Sequence, residues 1–160
     1  MNYKRTILHV DDDPQITRIV AARLNALGYE VTSLNDPRQA LEELSRSQQR
    51  LVLLDIDMPH VNGLDLLQEI RAEYGGTQVI MLTGLVSMQI LLQSFRCGAE
   101  FCMFKPITDM EPLLEVIDKT FWKIDQWGSA LDHLSREKRS ERYAAMQASE
   151  EAELQTTSFA

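Results

Sequence analysis

At 160 residues the chain has room for one ordinary domain and a little more, and 44% hydrophobic with 25% charged residues describes a globular protein with one real core. A formal net charge of −8 argues against a nucleic-acid-binding module, which is normally basic, and fits cation binding or a basic protein partner. The only two cysteines, Cys97 and Cys102, make neither a disulfide framework nor a zinc knuckle. Ile7 to Val10 then read as a buried strand that stops at acids. Asp13 is placed to cap a helix with Pro14 at its first position. Ile16, Ile19, Val20, Leu24 and Leu27 follow at helical spacing, and Gly28 ends the run. Tyr29 to Leu34 is a second strand, and Asp36-Pro37 opens a second helix carrying Ala40, Leu41 and Leu44.

Leu51 to Leu54 is apolar throughout, as a central parallel strand covered on both faces requires. Met58 to Gly63 is a loop, and Leu64, Leu67 and Ile70 mark a third helix. Gln78 to Leu82 is a fourth strand and Leu85 to Phe95 a fourth helix, with Met88, Leu91, Leu92 and Phe95 expected in the core. Val86 and Ile90 fall off that face. Ala99 to Phe104 is a fifth strand, and Leu113, Leu114, Ile117, Phe121 and Ile124 mark a fifth helix. Strands alternating with helices predict an α/β fold, a parallel sheet with helices on both faces. Residues 128–160 differ: a basic stretch, Arg136 to Arg142, precedes an acidic one, Glu150 to Glu153. Leu131, Leu134, Tyr143 and Met146 are too sparse for sustained heptads, so this extension is expected to be helical or partly disordered. Residues 1–127 are the expected domain.

In such a sheet, ligands bind at the carboxyl ends of the strands. Asp11 and Asp12 follow the first strand, Asp55 the third, Thr83 ends the fourth and Lys105 follows the fifth, so all five fall on one rim. Two unit charges 4 Å apart cost about 4 kcal/mol at an effective dielectric near 20, so converging carboxylates call for a cation. An oxygen-only site with open positions suits Mg²⁺. A carboxylate beside Mg²⁺ can accept a phosphoryl group, with Lys105 and Thr83 able to neutralise and bind its oxygens.

Four motifs in order carry a resemblance. They are Ile7-Leu8-His9-Val10-Asp11-Asp12-Asp13, then Leu53-Leu54-Asp55-Ile56-Asp57-Met58-Pro59 with Asn62-Gly63, Val79-Ile80-Met81-Leu82-Thr83-Gly84, and Gly98-Ala99 with Lys105-Pro106. Over residues 5 to 127 the chain resembles response-regulator receiver domains of the CheY-like superfamily. The resemblance implies a flavodoxin-like doubly wound five-stranded sheet of order 2-1-3-4-5. It implies Asp55 as phosphoacceptor, and Asp12 as a direct Mg²⁺ ligand with Asp11 acting mainly through water. Asp57 would add its backbone carbonyl. Thr83 and Lys105 would hold the phosphoryl oxygens, and the Lys105-Pro106 bond would be cis. A sensor histidine kinase or histidine phosphotransfer protein would be the donor and a downstream protein the target. Neither direct nucleic-acid binding nor membrane insertion is expected, and a cytoplasmic location is. A self-phosphorylating acceptor with slow autodephosphorylation is expected, not a turnover enzyme.

Two positions depart from the family; one is Asp57, where the family tolerates many residues and an extra carboxylate would either strengthen metal binding or hinder the phosphodonor. Receivers usually carry Tyr or Phe three residues before the lysine, where this chain has Cys102. That motivates an alternative, a pseudo-receiver that binds without phosphorylation. Leu54-Asp55-Ile56-Asp57 also resembles the Asp-x-Asp of haloacid-dehalogenase-type phosphatases, but those carry it on the first strand, not the third. The fourth helix and fifth strand are the expected surface for a homodimer or partner. His9 is expected in the core, and His60 and His133 at the surface.

Overall fold

The computed structural model describes residues 4–47 and 49–157, with side-chain surroundings up to residue 148. In chain order the elements are β1 Thr6–Val10, α1 Pro14–Ala26, β2 Glu30–Leu34, a 3-10 turn Pro37–Gln39, α2 Ala40–Ser47, β3 Leu51–Leu54, α3 Gly63–Glu73, β4 Gln78–Thr83, α4 Met88–Arg96, β5 Phe101–Phe104 and α5 Glu111–Thr157. Residues 158–160 of the expected extension lie outside the described residues. The sheet order is β2-β1-β3-β4-β5, and every pairing is parallel. This is the flavodoxin-like architecture that the resemblance implies.

Local chemistry sets the helix starts. Asp13 accepts from the Gln15 N–H ahead of α1, with Pro14 at the first position. Asn62 does the same for α3 through Leu64 N–H. Ser87 caps α4 through Ile90 N–H, which starts that helix at Met88 and leaves Leu85 and Val86 in the preceding loop, later than the apolar run suggested. β5 likewise begins at Phe101.

Strand side chains alternate between faces. Leu8, Val10, Val52, Leu54, Val79, Met81 and Cys102 share one core cluster with Ala40 and Leu44 of α2 and Leu66, Leu67 and Ile70 of α3. Ile7, His9, Leu53, Ile80 and Leu82 alternate with them and are equally buried. The start of β1 is tied to α5 by Arg5, whose guanidinium meets Asp118 at 2.8 Å, and the rings of Tyr29 and Phe121 stack at 5.9 Å.

Two core expectations are corrected. On α1 the buried stripe is Thr17, Val20 and Leu24, whereas Ile19 and Leu27 are exposed. Thr17 can sit inside because its hydroxyl donates to Pro14 C=O and accepts from Asn35 Nδ2. On α4 the expected core residues Met88, Leu92 and Phe95 are exposed, and Ser94 is the buried residue, flanked inward by Ile90, Leu91 and Cys97. The Ser94 hydroxyl donates to Ile90 C=O at 2.8 Å, so a small polar side chain is satisfied within its own helix turn and α4 can close on the sheet.

By their contacts the described residues fall into two units, one up to Trp122 and one from Lys123 onward. The first holds the sheet and the carboxylate cluster. In the second, the described side chains from Leu131 to Ala148 are exposed except Asp132.

Candidate functional site

The site is built from strand ends. Asp11 follows β1 and is fully buried; its backbone N–H bonds Leu34 C=O at 3.1 Å. Asp55 follows β3, is 5% exposed and is anchored through its N–H to Val10 C=O at 3.0 Å. Register therefore brings the two acids side by side on adjacent strands. Asp12 is exposed beside them. Ligand oxygens of Asp11, Asp12 and Asp55 lie within 4.8 Å of one another.

Lys105 closes the cluster from β5. Its backbone N–H bonds Thr83 C=O at 2.8 Å, and the Lys105-Pro106 bond is cis. Its Nζ reaches Asp11 Oδ2 at 2.5 Å and Asp55 Oδ2 at 3.0 Å. The other oxygens are held by the backbone: Asp13 N–H donates to Asp11 Oδ1 at 3.0 Å, and Ile56 N–H to Asp55 Oδ1 at 2.7 Å. Both acids are thus fixed at both oxygens. Thr83 is buried at the end of β4, and its hydroxyl oxygen accepts from Leu85 N–H at 3.1 Å.

One ammonium faces three carboxylates, so the cluster keeps net negative charge. Burial pushes the Asp55 carboxyl above its ordinary range; Lys105 opposes this and the nearby Asp11 adds to it. Burial works against the Lys105 ammonium, but its hydrogen bonds and attraction to Asp11 and Asp55 outweigh that and push its pKa up. An all-oxygen donor set with an exposed carboxylate on its open side fits a hard divalent cation such as Mg²⁺. Asp57 is exposed and its carboxylate is not part of this cluster; its backbone pairs with Asn62 across the loop after β3. Gly63, which opens α3, lies so close beneath this loop that a Cβ there would overlap the Asp55 carbonyl oxygen. The glycine lets α3 start directly against the backbone that presents Asp55.

Sequence reasoning took His9 only as a core residue, and it is fully buried, while His60 and His133 are exposed. What it missed is that His9 also borders the site. Its Nε2 is 4.0 Å from Asp11 Oδ2, and neither ring nitrogen has a hydrogen-bond partner. Burial, aided by repulsion from Lys105, lowers its pKa to about 3. The unfolded chain would bind a proton at His9 near pH 6.5 that the folded state refuses until about pH 3. Stability should therefore fall as pH drops through that window, by at most about 1.4 kcal/mol per pH unit from this group. His9→Leu should remove about 2 kcal/mol of the loss between pH 7 and pH 5, measured by urea unfolding at both pH values. An unchanged difference would assign the acid limb to other groups.

Cys102 occupies the position where the resemblance leads one to look for an aromatic ring. It is buried in the core cluster and aligned with Met81 of β4. Burial pushes its thiol up, with Ser94 opposing. The flanking Phe101 is 42% exposed and Phe104 partly buried, so neither takes its place. Beside Lys105, Ile16, Ile19, Val20, Pro106 and Ile107 line an apolar hollow of about 200 Å³. Among the described residues no helix is long and apolar enough to cross a membrane.

A family model described as the response regulator receiver domain matches residues 7–118. Over 108 residues the chain is 36% identical to the probable transcriptional regulator ycf27 of Porphyridium aerugineum, which covers 68% of this chain and 45% of that protein. It is 32% identical over 105 residues to the sensor protein EvgS of Escherichia coli O157:H7, covering 66% of this chain and 9% of that protein. The chain thus spans less than half the length of these curated relatives. Among solved structures it is similar to a CheY-like response regulator receiver domain protein from Methanospirillum hungatei JF-1, with a TM-score of 0.73, 29% identity and coverage of 78% of this chain and 98% of that one. It is also similar to the response regulator protein TrrA from Thermotoga maritima, solved in complex with Mg(2+)-BeF, with a TM-score of 0.66, 30% identity and coverage of 72% and 98%.

Proposed function

The chain belongs to the response regulator receiver domain family of two-component systems, and from that premise we propose that Asp55 is its phosphoacceptor and that phosphorylation switches a protein-binding surface. The observation that carries this is the shared ammonium: Lys105 bridges Asp11 and Asp55 while Asp12 lies on the open side. In this reading Asp11, Asp12, Asp55 and the Asp57 backbone carbonyl hold Mg²⁺, and the TrrA complex with Mg(2+)-BeF supports that assignment. Mg²⁺ would supply charge neutralisation for the entering phosphoryl oxygens.

The chain's own residues do the rest. The Asp55 oxygen that Lys105 now binds attacks the phosphorus, and the donor group leaves with the electron pair of the broken bond. Lys105 then bonds a phosphoryl oxygen, and the Thr83 hydroxyl donates to another. Pulling Thr83 inward moves the loop it anchors through Leu85, and with it the start of α4. The group shifts an existing equilibrium, and its slow hydrolysis resets it. The exposed Leu85, Val86, Met88, Leu92, Phe95 and Phe101 then form the output surface, for a homodimer or a downstream protein. The apolar hollow beside Lys105 suits docking of the phosphodonor, a histidine kinase or histidine phosphotransfer protein. The matched segment is under half of the ycf27 relative, so no transcriptional output is carried over from that name. Residues 1–127 are proposed as the receiver and 128–160 as a separate extension.

A second reading draws on Cys102. Its small buried side chain cannot move as a ring would, which favours a module that binds its partner in one state only. One experiment separates the two readings. Intact mass after incubation with acetyl phosphate should show one phosphoryl group added with Mg²⁺ and none with a chelator. No gain at any Mg²⁺ concentration would overturn the acceptor reading and leave the unphosphorylated module.

A further inference from the structure

α5 continues to Thr157, well past the last residue of the sheet-bearing unit at Trp122. Along the second unit, Leu131, Leu134, Lys138, Glu141, Ala145 and Ala148 recur at alternating spacings of three and four, which places them on one stripe of the helix. All six are exposed, with Leu131 at 64% and Leu134 at 53%. The stripe is large and apolar at one end, charged in the middle and small at the other. It is too sparse for a coiled coil in which each residue meets its own copy. It is complementary to itself when reversed.

We propose that this helix pairs antiparallel with the same helix of a second copy, about a two-fold axis between Arg139 and Ser140. In that register Leu134 of one copy meets Ala145 of the other, Leu131 meets Ala148, and Lys138 meets Glu141. Every contact occurs twice, as an isologous interface requires. Large residues facing small ones fill the seam without overpacking. The two central pairs are of opposite charge. A parallel pairing of the same stripe would instead set Lys138 against Lys138 and Glu141 against Glu141 in adjacent layers, and leave two alanine layers underfilled. The contacts run from Leu131 to Ala148, about 26 Å of helix at 1.5 Å per residue. This stripe shares no residue with the exposed face of α4, and the proposal does not rest on the phosphorylation reading.

The test is sedimentation equilibrium of the full chain through the micromolar range. Wild type should dimerise reversibly. Lys138→Glu and Glu141→Lys should each weaken the dimer about ten-fold, because each swap turns two attractive contacts into two repulsive ones. The two swaps together should restore it, and Leu134→Glu should abolish it. Because these positions are exposed, circular dichroism and the acetyl phosphate reaction should not change. A wild type that stays monomeric would overturn the proposal. So would a dimer indifferent to the single swaps or to Leu134→Glu, as a contact elsewhere predicts.

Discussion

Asp55→Asn is expected to take up no phosphoryl group from acetyl phosphate and to melt at a higher temperature than wild type. The first result follows from the loss of the nucleophilic oxygen. The second follows from the charge balance of the site's own side chains. Asp55 is buried beside Asp11, and one ammonium serves both. Because burial and that repulsion raise its pKa in the folded state, the folded chain binds more protons there than the unfolded chain does. Its contribution is therefore favourable below the unfolded value of 3.8 and is lost as pH rises through the folded one, so ionised Asp55 costs stability at neutral pH. Asparagine keeps the shape and leaves Asp11 and Lys105 as a neutral pair. The gain should be about 1 kcal/mol, which corresponds to roughly 3–4 °C in Tm for a domain of this size. Differential scanning calorimetry and intact mass on the same sample read both effects. A phosphorylated Asp55→Asn would move the acceptor elsewhere, and a lowered Tm would mean that the carboxylate holds the fold together.

Lys105→Met is expected to act in the opposite direction and more strongly. It leaves two buried carboxylates with no cation, and breaking a buried pair in this way costs about 3–5 kcal/mol. The Asp55 carboxyl also loses the ammonium that now pulls its pKa down. The variant should therefore lose less stability than wild type as pH is lowered from 7 towards 5, because protonation of Asp55 offsets part of the loss that His9 causes in both proteins. Combining Lys105→Met with Asp55→Asn should cost much less than Lys105→Met alone, since the double variant buries one uncompensated charge, not two. Urea unfolding of the four proteins at pH 7 measures the coupling. Simple additivity would mean that the short Lys105 contacts contribute little, and that the acids are satisfied by their backbone N–H bonds alone.

Both predictions rest on residues that the sequence already placed on one rim. That placement was legible because it depends on local signals. Continuous apolar runs mark strands buried on both faces, a capping Asp followed by Pro marks a helix start, and acids at strand ends mark the carboxyl edge of a parallel sheet. Asp11, Asp55, Thr83 and Lys105 needed no long-range information to be nominated. The strand order came from the resemblance, because periodicity does not say which strands are neighbours.

Three features were decided only by tertiary structure. Lys105 pairs with acids 94 and 50 residues away, and only the β1-β3-β4-β5 register makes one ammonium common to both. The inward face of α4 could not be read, because its clear apolar stripe, Met88, Leu91, Leu92 and Phe95, is turned mostly to solvent and the sheet takes the neighbouring face with Ile90, Leu91 and Ser94. The sheet chose the face carrying Ser94, a residue that polarity alone would place in water, because its hydroxyl is satisfied by Ile90 C=O and its small size lets α4 approach Cys102. His9 is the third. Its strand position predicted burial, the main cause of its lowered pKa, but not the repulsion that folding adds by bringing Lys105 to the same pocket from a distant part of the chain. Hydrophobic pattern and capping thus determined which segments form strands and helices and which chemical groups reach the rim. Packing determined which charges meet there and which apolar faces stay exposed, because both depend on groups far apart in the chain competing for the same small volume.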